Sequence, residues 1–211
     1  MTKQKTIFKA VAAGIVLSLL FYGIIEYIHI NRNIPYGDLT RDPNAIHKSP
    51  KYIGLLSQIG MIFWFSTAGV LLFSTIAMKK LFKNRSYISF LGNACFLTLF
   101  LGIDDMFMLH DELAHRGIRE EYFYLFYGIW LVTIIWYFKK TIIQTLYPLI
   151  VVYGFLFGLS VIIDKLILEA YLAEDLFKFG GIFYWTFYWM TTCYSLIKEA
   201  YEKSNNAVAI G

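Results

Sequence analysis

Acidic and histidine side chains are concentrated in one short segment near the middle of an otherwise apolar chain. If a helix continues through this segment to Gly117, the side chains of Asp104, Asp111 and His115 lie within about 20° of one another around the helix axis. Carboxylate oxygens suit Mg²⁺, Ca²⁺ or Mn²⁺, and an added imidazole shifts the preference toward zinc, manganese or iron. The segment therefore predicts a divalent metal site, with Zn, Mn or Fe held by Asp104, His110, Asp111 and His115.

A second charged segment follows further along the chain. It contains Glu174, Asp175 and Lys178. We expect Glu174 or Asp175 to complete the metal shell or to act as a base, and Lys178 to stabilise developing negative charge. Asp105 joins them as a candidate catalytic residue. Ion pairs that pin helix ends together, and acids that are simply solvated at a helix end, are the alternatives.

The elements that must position these residues are long apolar runs. The chain has 211 residues, is 58% hydrophobic and only 16% charged, and its mean hydropathy is +0.55. This composition excludes a disordered chain, a disulfide-rich secreted domain and a nucleic-acid-binding protein. Because about 20 apolar residues cross a bilayer, we predict an all-α membrane helix bundle in a single domain, 1–211. About six transmembrane spans are expected, at 7–28, 53–78, 86–109, 122–138, 141–166 and 179–197.

Three local signals refine these spans. The pair Gly180–Gly181 is expected to mark a connection between helices, and Pro148 to kink the fifth span. The Gly154-x3-Gly158 pattern is expected to permit close helix contact within the bundle or in a dimer.

The distribution of charge along the chain predicts an orientation. Cytoplasmic loops are enriched in Lys and Arg, which places the N-terminus and the C-terminus in the cytoplasm and the loop 31–52 outside. All four histidines and every acid except Glu199 and Glu202 then fall on the outer side. Charges at the ends of spans are costly unless they are paired, hydrated or bound to an ion. We therefore predict an outward-facing carboxylate and histidine site in a multi-pass protein of the cell (inner or plasma) membrane.

Two signatures in these segments resemble a pattern shared by small uncharacterised polytopic membrane proteins of prokaryotes. The first is Asp104-Asp105-x4-His110-Asp111, and the second is Glu174-Asp175-x2-Lys178-x2-Gly181. The resemblance covers roughly the last four predicted helices and implies a fold and a site location. More loosely, the chain is similar to the CREST group of intramembrane metal hydrolases, which implies zinc bound by histidines and an aspartate and action on lipid amides.

Together these patterns favour a metal-dependent, membrane-embedded hydrolase that acts on an amphipathic or lipid substrate. A non-catalytic accessory or sensor protein and an ion- or proton-coupled small transporter are the alternatives that the sequence leaves open. The expected partners are the lipid bilayer, the substrate and a second copy of the chain in a homo-oligomer, with no nucleic acid.

Overall fold

A computed structural model describes residues 3–40, 43–50, 52–166 and 170–210. All regular secondary structure in these ranges is helical. A π-helical turn, Met78–Phe82, extends the fourth helix. In chain order the helices are α1 (Lys3–Arg32), α2 (Tyr36–Thr40), α3 (Pro43–Ile46), α4 (Leu55–Ala77), α5 (Arg85–Phe107), α6 (Leu109–Ala114), α7 (Glu121–Tyr137), α8 (Lys139–Ile143), α9 (Pro148–Leu166) and α10 (Tyr171–Ile210).

The chain forms two compact units, Met1–Leu55 and Leu56–Gly211. In the first unit the end of α1 is held against α2. The Tyr36 hydroxyl donates to Glu26 Oε2 at 2.7 Å, and the Tyr36 ring stacks on His29 with 3.9 Å between ring centroids. The His29 ring also pairs with the Ile34 carbonyl at 2.7 Å. Glu26 and His29 thus stabilise the turn that follows α1.

Aromatic side chains form the centre of the second unit. Trp64, Phe90, Trp185 and Trp189 are fully buried. The Trp64 and Trp185 rings lie 6.3 Å apart in an edge-to-face arrangement, and Phe90 packs against Trp189 at 5.2 Å. Such tilted aromatic pairs add to the energy of area burial, so α4, α5 and α10 are joined by one aromatic core.

Hydrogen bonds between buried polar side chains align the same helices. Thr67 donates to Thr186 at 2.9 Å, which joins α4 to α10. The Trp185 indole donates to Thr98 at 3.1 Å, which joins α10 to α5. Hydroxyl bonds of this kind commonly connect helices in membrane bundles.

Among the described residues, three helical segments are long and apolar enough to cross a membrane: Leu55–Phe82, Arg85–Phe107 and Pro148–Leu166. Much of their surface faces outward. Exposed large apolar side chains include Leu72 and Phe73 on α4, Phe96 on α5, and Val151 and Phe155 on α9. An apolar exterior of this extent is typical of a protein that contacts lipid.

Each predicted span overlaps a helix, but the helix within the fifth is shorter than the predicted span. Residues 139–147 form the short helix α8 and a turn, and α9 begins at Pro148. Proline has no amide hydrogen and its φ is fixed near the helical value, so it suits the first position of a helix. Pro148 therefore starts a helix instead of kinking one.

The prediction of a helix connection at Gly180–Gly181 is wrong. Gly180 and Gly181 lie inside the continuous helix α10, where a Cβ on Gly181 would come within 3.4 Å of the Phe157 backbone nitrogen of α9. Outside the adjoining backbone of α9, no described atom lies within 4 Å of a Cβ built on Gly154 or Gly158, and contact of this pattern with a second copy of the chain stays a prediction. The close approach of α9 and α10 thus depends on the paired glycines, because they remove side chains from the face of α10 that meets α9.

Candidate functional site

A cavity of about 390 Å³ lies in the second unit, where α5 and α9 end and where α7 and α10 begin. The first half of α4 completes its wall with Ser57, Met61 and Trp64. Its volume falls in the range of small-molecule sites. The charged and histidine side chains that line it are Asp104, Asp105, His110, Glu120, Asp164, Glu174, Asp175 and Lys178.

A break in the helix at Met108 shapes this cavity. Met108 has a φ of 49°, in the left-handed region, and its amide donates to the Asp104 carbonyl. The chain then turns into α6 instead of continuing α5. The prediction of one stripe formed by Asp104, Asp111 and His115 is therefore wrong, because it required an unbroken helix.

Gly117 does end α6, as predicted. Its φ is 92°, and the Ile118 amide donates to the Leu113 carbonyl five residues earlier. This bond is typical of a helix C-terminus closed by a glycine in the left-handed conformation.

The break brings His110 back onto Asp104. One carboxylate oxygen of Asp104, Oδ1, accepts from the His110 backbone amide at 2.9 Å and lies 3.1 Å from His110 Nδ1. Asp104 is 5% exposed. A carboxylate oxygen accepts hydrogen bonds, so this pairing favours the imidazole tautomer that carries its hydrogen on Nδ1.

Two tyrosines of α7 surround this Asp104–His110 dyad. The ring of Tyr124 lies 5.8 Å from the His110 ring, measured between centroids. Tyr127 lines the cavity together with Asp104, and the two side chains are close enough to interact electrostatically. The dyad is thus held on one side by its own helix break and on the other by α7.

A second pair joins α5 to α10. Lys178 Nζ lies 2.5 Å from Asp105 Oδ1, and the two side chains are 32% and 10% exposed. Charge-assisted bonds of this length are stronger than neutral hydrogen bonds. Asp105 and Lys178, two of the predicted catalytic residues, are therefore partners of each other.

The remaining acids come from α7, α9 and α10. Lys165 pairs with Glu120 and lies 3.2 Å from Asp164. Glu174 and Asp175 lie in the first turns of α10. Desolvation raises the pKa of Glu174, and the neighbouring Asp164 and Asp175 carboxylates raise it further.

Residues 9–192 match the sequence model of a protein family described as a domain of unknown function, DUF8692. The chain belongs to the DUF8692 family. The match spans every residue that lines the cavity. No curated protein and no solved structure matches the chain.

Of the predicted metal ligands of this DUF8692 chain, the described part of the structure brings two together. Asp104 and His110 are paired, whereas His115 is exposed in the turn after α6. The side chain of Asp111 lies outside the described part of the structure. Within the described part, no three His, Cys, Asp or Glu side chains are placed to hold a metal ion.

The structure also adds residues that sequence reasoning did not assign to the site. Glu120, Tyr124 and Tyr127 line the cavity from α7, and Ser160 lines it from α9. Offsets of four and seven residues place the α7 side chains on one helix face. The same offset of four places Ser160 on the helix face that carries Asp164. Helical periodicity counted from Glu120 and from Asp164 therefore predicts the two tyrosines and the serine as neighbours of these acids.

Proposed function

We propose that this DUF8692 protein crosses the cell membrane about six times, with both termini in the cytoplasm and the cavity on the outer side. The three segments that are long and apolar enough to span support this topology, and all three have the cavity at one end. Lys79, Lys80, Lys83 and Arg85 lie at the other end of α4 and α5. Positive charge on that side favours a cytoplasmic location.

The additional spans in this proposal are α1, α7 and α10. Their exposed surfaces carry large apolar side chains, among them Leu19, Leu20, Ile129, Val132 and Phe187. The helix α7 has 17 residues, at the lower limit for a span. In α10 the apolar segment is rich in Trp and Tyr, which score as weakly polar on hydropathy scales although they bury large apolar rings.

We propose further that the cavity hydrolyses an ester or amide of an amphipathic substrate at the membrane boundary. The observation that carries this proposal is the buried Asp104–His110 dyad in a cavity of small-molecule size. Asp104 fixes the imidazole so that Nε2 can take a proton from a water molecule. The water oxygen attacks the carbonyl carbon, and the same proton then passes from His110 to the leaving oxygen or nitrogen.

Lys178 is the group best suited to stabilise the negative charge that develops on the carbonyl oxygen. It is the lysine that lines the cavity among the described residues, and Asp105 restrains its position. A fixed positive charge in a site shielded from water favours a charged transition state over the neutral substrate.

The divalent cation expected from the sequence stays a prediction. A histidine that donates one ring nitrogen to a carboxylate commonly uses the other as a metal ligand, and His110 has this arrangement with Asp104. A cation at Nε2 would lower the pKa of a bound water. In this arrangement Asp104 would orient the His110 imidazole that binds the cation.

Substitution of Asp104 by Asn tests the proposed reaction. The purified full chain is assayed in detergent with fluorogenic long-chain esters and amides. We expect Asp104→Asn to lower kcat by about 10²- to 10⁴-fold with little change in KM, because the substitution removes the negative charge that stabilises the protonated imidazole.

The matched control is Glu112→Gln, which removes one carboxylate on the exposed face of α6, where Glu112 pairs with Arg116. It should leave turnover unchanged. Turnover by Asp104→Asn equal to that of the unmodified protein would refute the role of the dyad, provided that both variants elute as single species.

A further inference from the structure

The cavity carries more negative than positive charge. Six carboxylates line it, and the basic side chains that line it in the described part of the chain are His110 and Lys178. His110 pairs with Asp104, and Lys178 pairs with Asp105. Lys165 lies beside the cavity and pairs with Glu120 and Asp164.

Glu174 and Asp175 are the acids that remain. Neither forms an ion pair with a described residue, and both line the cavity next to each other on α10. Two adjacent carboxylates close to Asp164 repel one another, and the resulting field attracts a cation into the cavity.

A buried hydroxyl supports the presence of a ligand independently of these charges. Ser160 is 4% exposed, lines the cavity and makes no hydrogen bond to any described residue. Buried polar groups are nearly always paired in folded proteins. The Ser160 hydroxyl is thus available to a molecule that enters the cavity.

The walls between these polar groups are aromatic and apolar. Trp64, Tyr124, Tyr127 and Phe157 line the cavity together with Leu101. Aromatic faces attract alkylammonium groups as well as apolar chains. The cavity thus combines negative charge, aromatic faces and apolar surface.

From this combination we infer that the ligand of the cavity is an amphiphile that carries an organic ammonium group, with Glu174 and Asp175 as its counter-charges. The inference deepens the proposed function, because it places the ammonium group in the same cavity as the dyad. The acidic side chains are distributed around a cavity of about 390 Å³. In the described part of the chain, no three His, Cys, Asp or Glu side chains are placed to hold one metal ion. A spread of single charges fits an organic cation better than a compact divalent ion, which needs several ligands at one point.

Calorimetric titration with a non-hydrolysable probe tests the inference. The full chain is purified in maltoside detergent, without phosphatidylcholine, and titrated with hexyltrimethylammonium and with hexanol. We expect the ammonium probe to bind at least about tenfold more tightly than hexanol, because both have the same alkyl chain and only one carries charge. Equal affinities would overturn the inference.

The charge of α10 is then removed in a Glu174→Gln, Asp175→Asn double variant. It should bind the ammonium probe about tenfold more weakly and bind hexanol unchanged. Glu121→Gln, which removes an exposed carboxylate outside the cavity lining, should bind both probes like the unmodified chain. If the double variant does not elute as a single species, Glu174→Gln alone replaces it, with an expected loss of about threefold.

Two further measurements distinguish this inference from the proposed reaction and from metal binding. His110→Gln should still bind the ammonium probe although it hydrolyses substrate at least about 100-fold more slowly. If the unmodified chain binds the probe but shows no turnover, the proposed function fails and this inference stands. Binding of Zn²⁺ or Mn²⁺ to the cavity with no binding of the ammonium probe would overturn the inference.

Discussion

The Asp104 carboxylate connects the chemistry of the cavity to its local backbone. It accepts one hydrogen bond from the His110 amide and faces the His110 ring, while its own carbonyl accepts from the Met108 amide. These bonds require the turn that follows α5. A substitution that straightens the turn would separate the dyad even if both side chains were kept.

Residue types and spacing identified several of these groups before the structure did. Asp104, His110, Asp105 and Lys178 were expected at one site because costly charges stood at the ends of apolar runs. The pairing was not predictable from spacing, since it depends on the break at Met108 and on the approach of α10 to α5.

The raised pKa of Glu174 predicts a pH-dependent difference in stability. Because the folded protein binds this proton more tightly than the unfolded chain, protonation stabilises the fold at low pH, and that stabilisation is lost as the pH rises through the raised pKa. Glu174→Gln resembles the protonated form. We expect its midpoint of thermal unfolding to exceed that of the unmodified protein at pH 7 and to match it below about pH 4.

Glu121→Gln serves as the control because the Glu121 pKa is shifted in the opposite direction. The hydrogen bond from Arg119 lowers the pKa of Glu121. The Glu121→Gln substitution should leave the midpoint of thermal unfolding at pH 7 unchanged or lower it. A Glu174→Gln variant that is less stable than the unmodified chain at pH 7 would contradict the conclusion that desolvation and the neighbouring carboxylates make the ionised Glu174 unfavourable.

The elements meet at small residues, and this sets the position of the dyad. A Cβ on Gly102 of α5 would lie 3.0 Å from the Cβ of Trp64 on α4. Gly102 lies one turn or less from Asp104 and Asp105. The contact between α4 and α5 thus fixes how far the end of α5 stands from the wall of the cavity.

Gly102→Ala tests this contact, with Gly154→Ala as the matched control. The added methyl group at position 102 forces α4 and α5 apart, which we expect to cost about 1–3 kcal/mol of unfolding free energy. The control has open space at its Cβ and should be neutral or slightly stabilising, since alanine favours a helix. Thermal unfolding in detergent measures both, and equal behaviour of the two variants would contradict the packing.

Periodicity and composition predicted the long helices well but not their ends. The apolar runs at 53–78 and 86–109 correspond closely to α4 and α5. The helix end at Phe107 was missed because methionine seldom adopts a left-handed conformation. Composition alone places the start of α10 too late because a glycine pair is typical of a helix break, whereas in the fold Gly180–Gly181 provides room for α9.

At the scale of the whole molecule, apolar surface and charge are arranged along the long helices. Exposed apolar side chains cover the outside of the second unit, acids line a cavity at one end, and basic residues such as Lys80 and Arg85 lie at the other. The charge distribution along the sequence predicted the separation of acids from bases. The cavity itself could not be predicted, since its volume depends on the packing of α4, α5, α7, α9 and α10.

The most direct test of the central claim compares turnover by two histidine variants of the full chain. His110→Gln removes the imidazole that lies against Asp104 in the cavity, whereas His115→Gln removes an exposed imidazole five residues later. With an amphipathic ester or amide as substrate, we predict that His110→Gln lowers kcat by about 100-fold or more and that His115→Gln retains it. Equal loss in both variants, or full activity in His110→Gln, would contradict the assignment of the dyad as the reacting acid–base group.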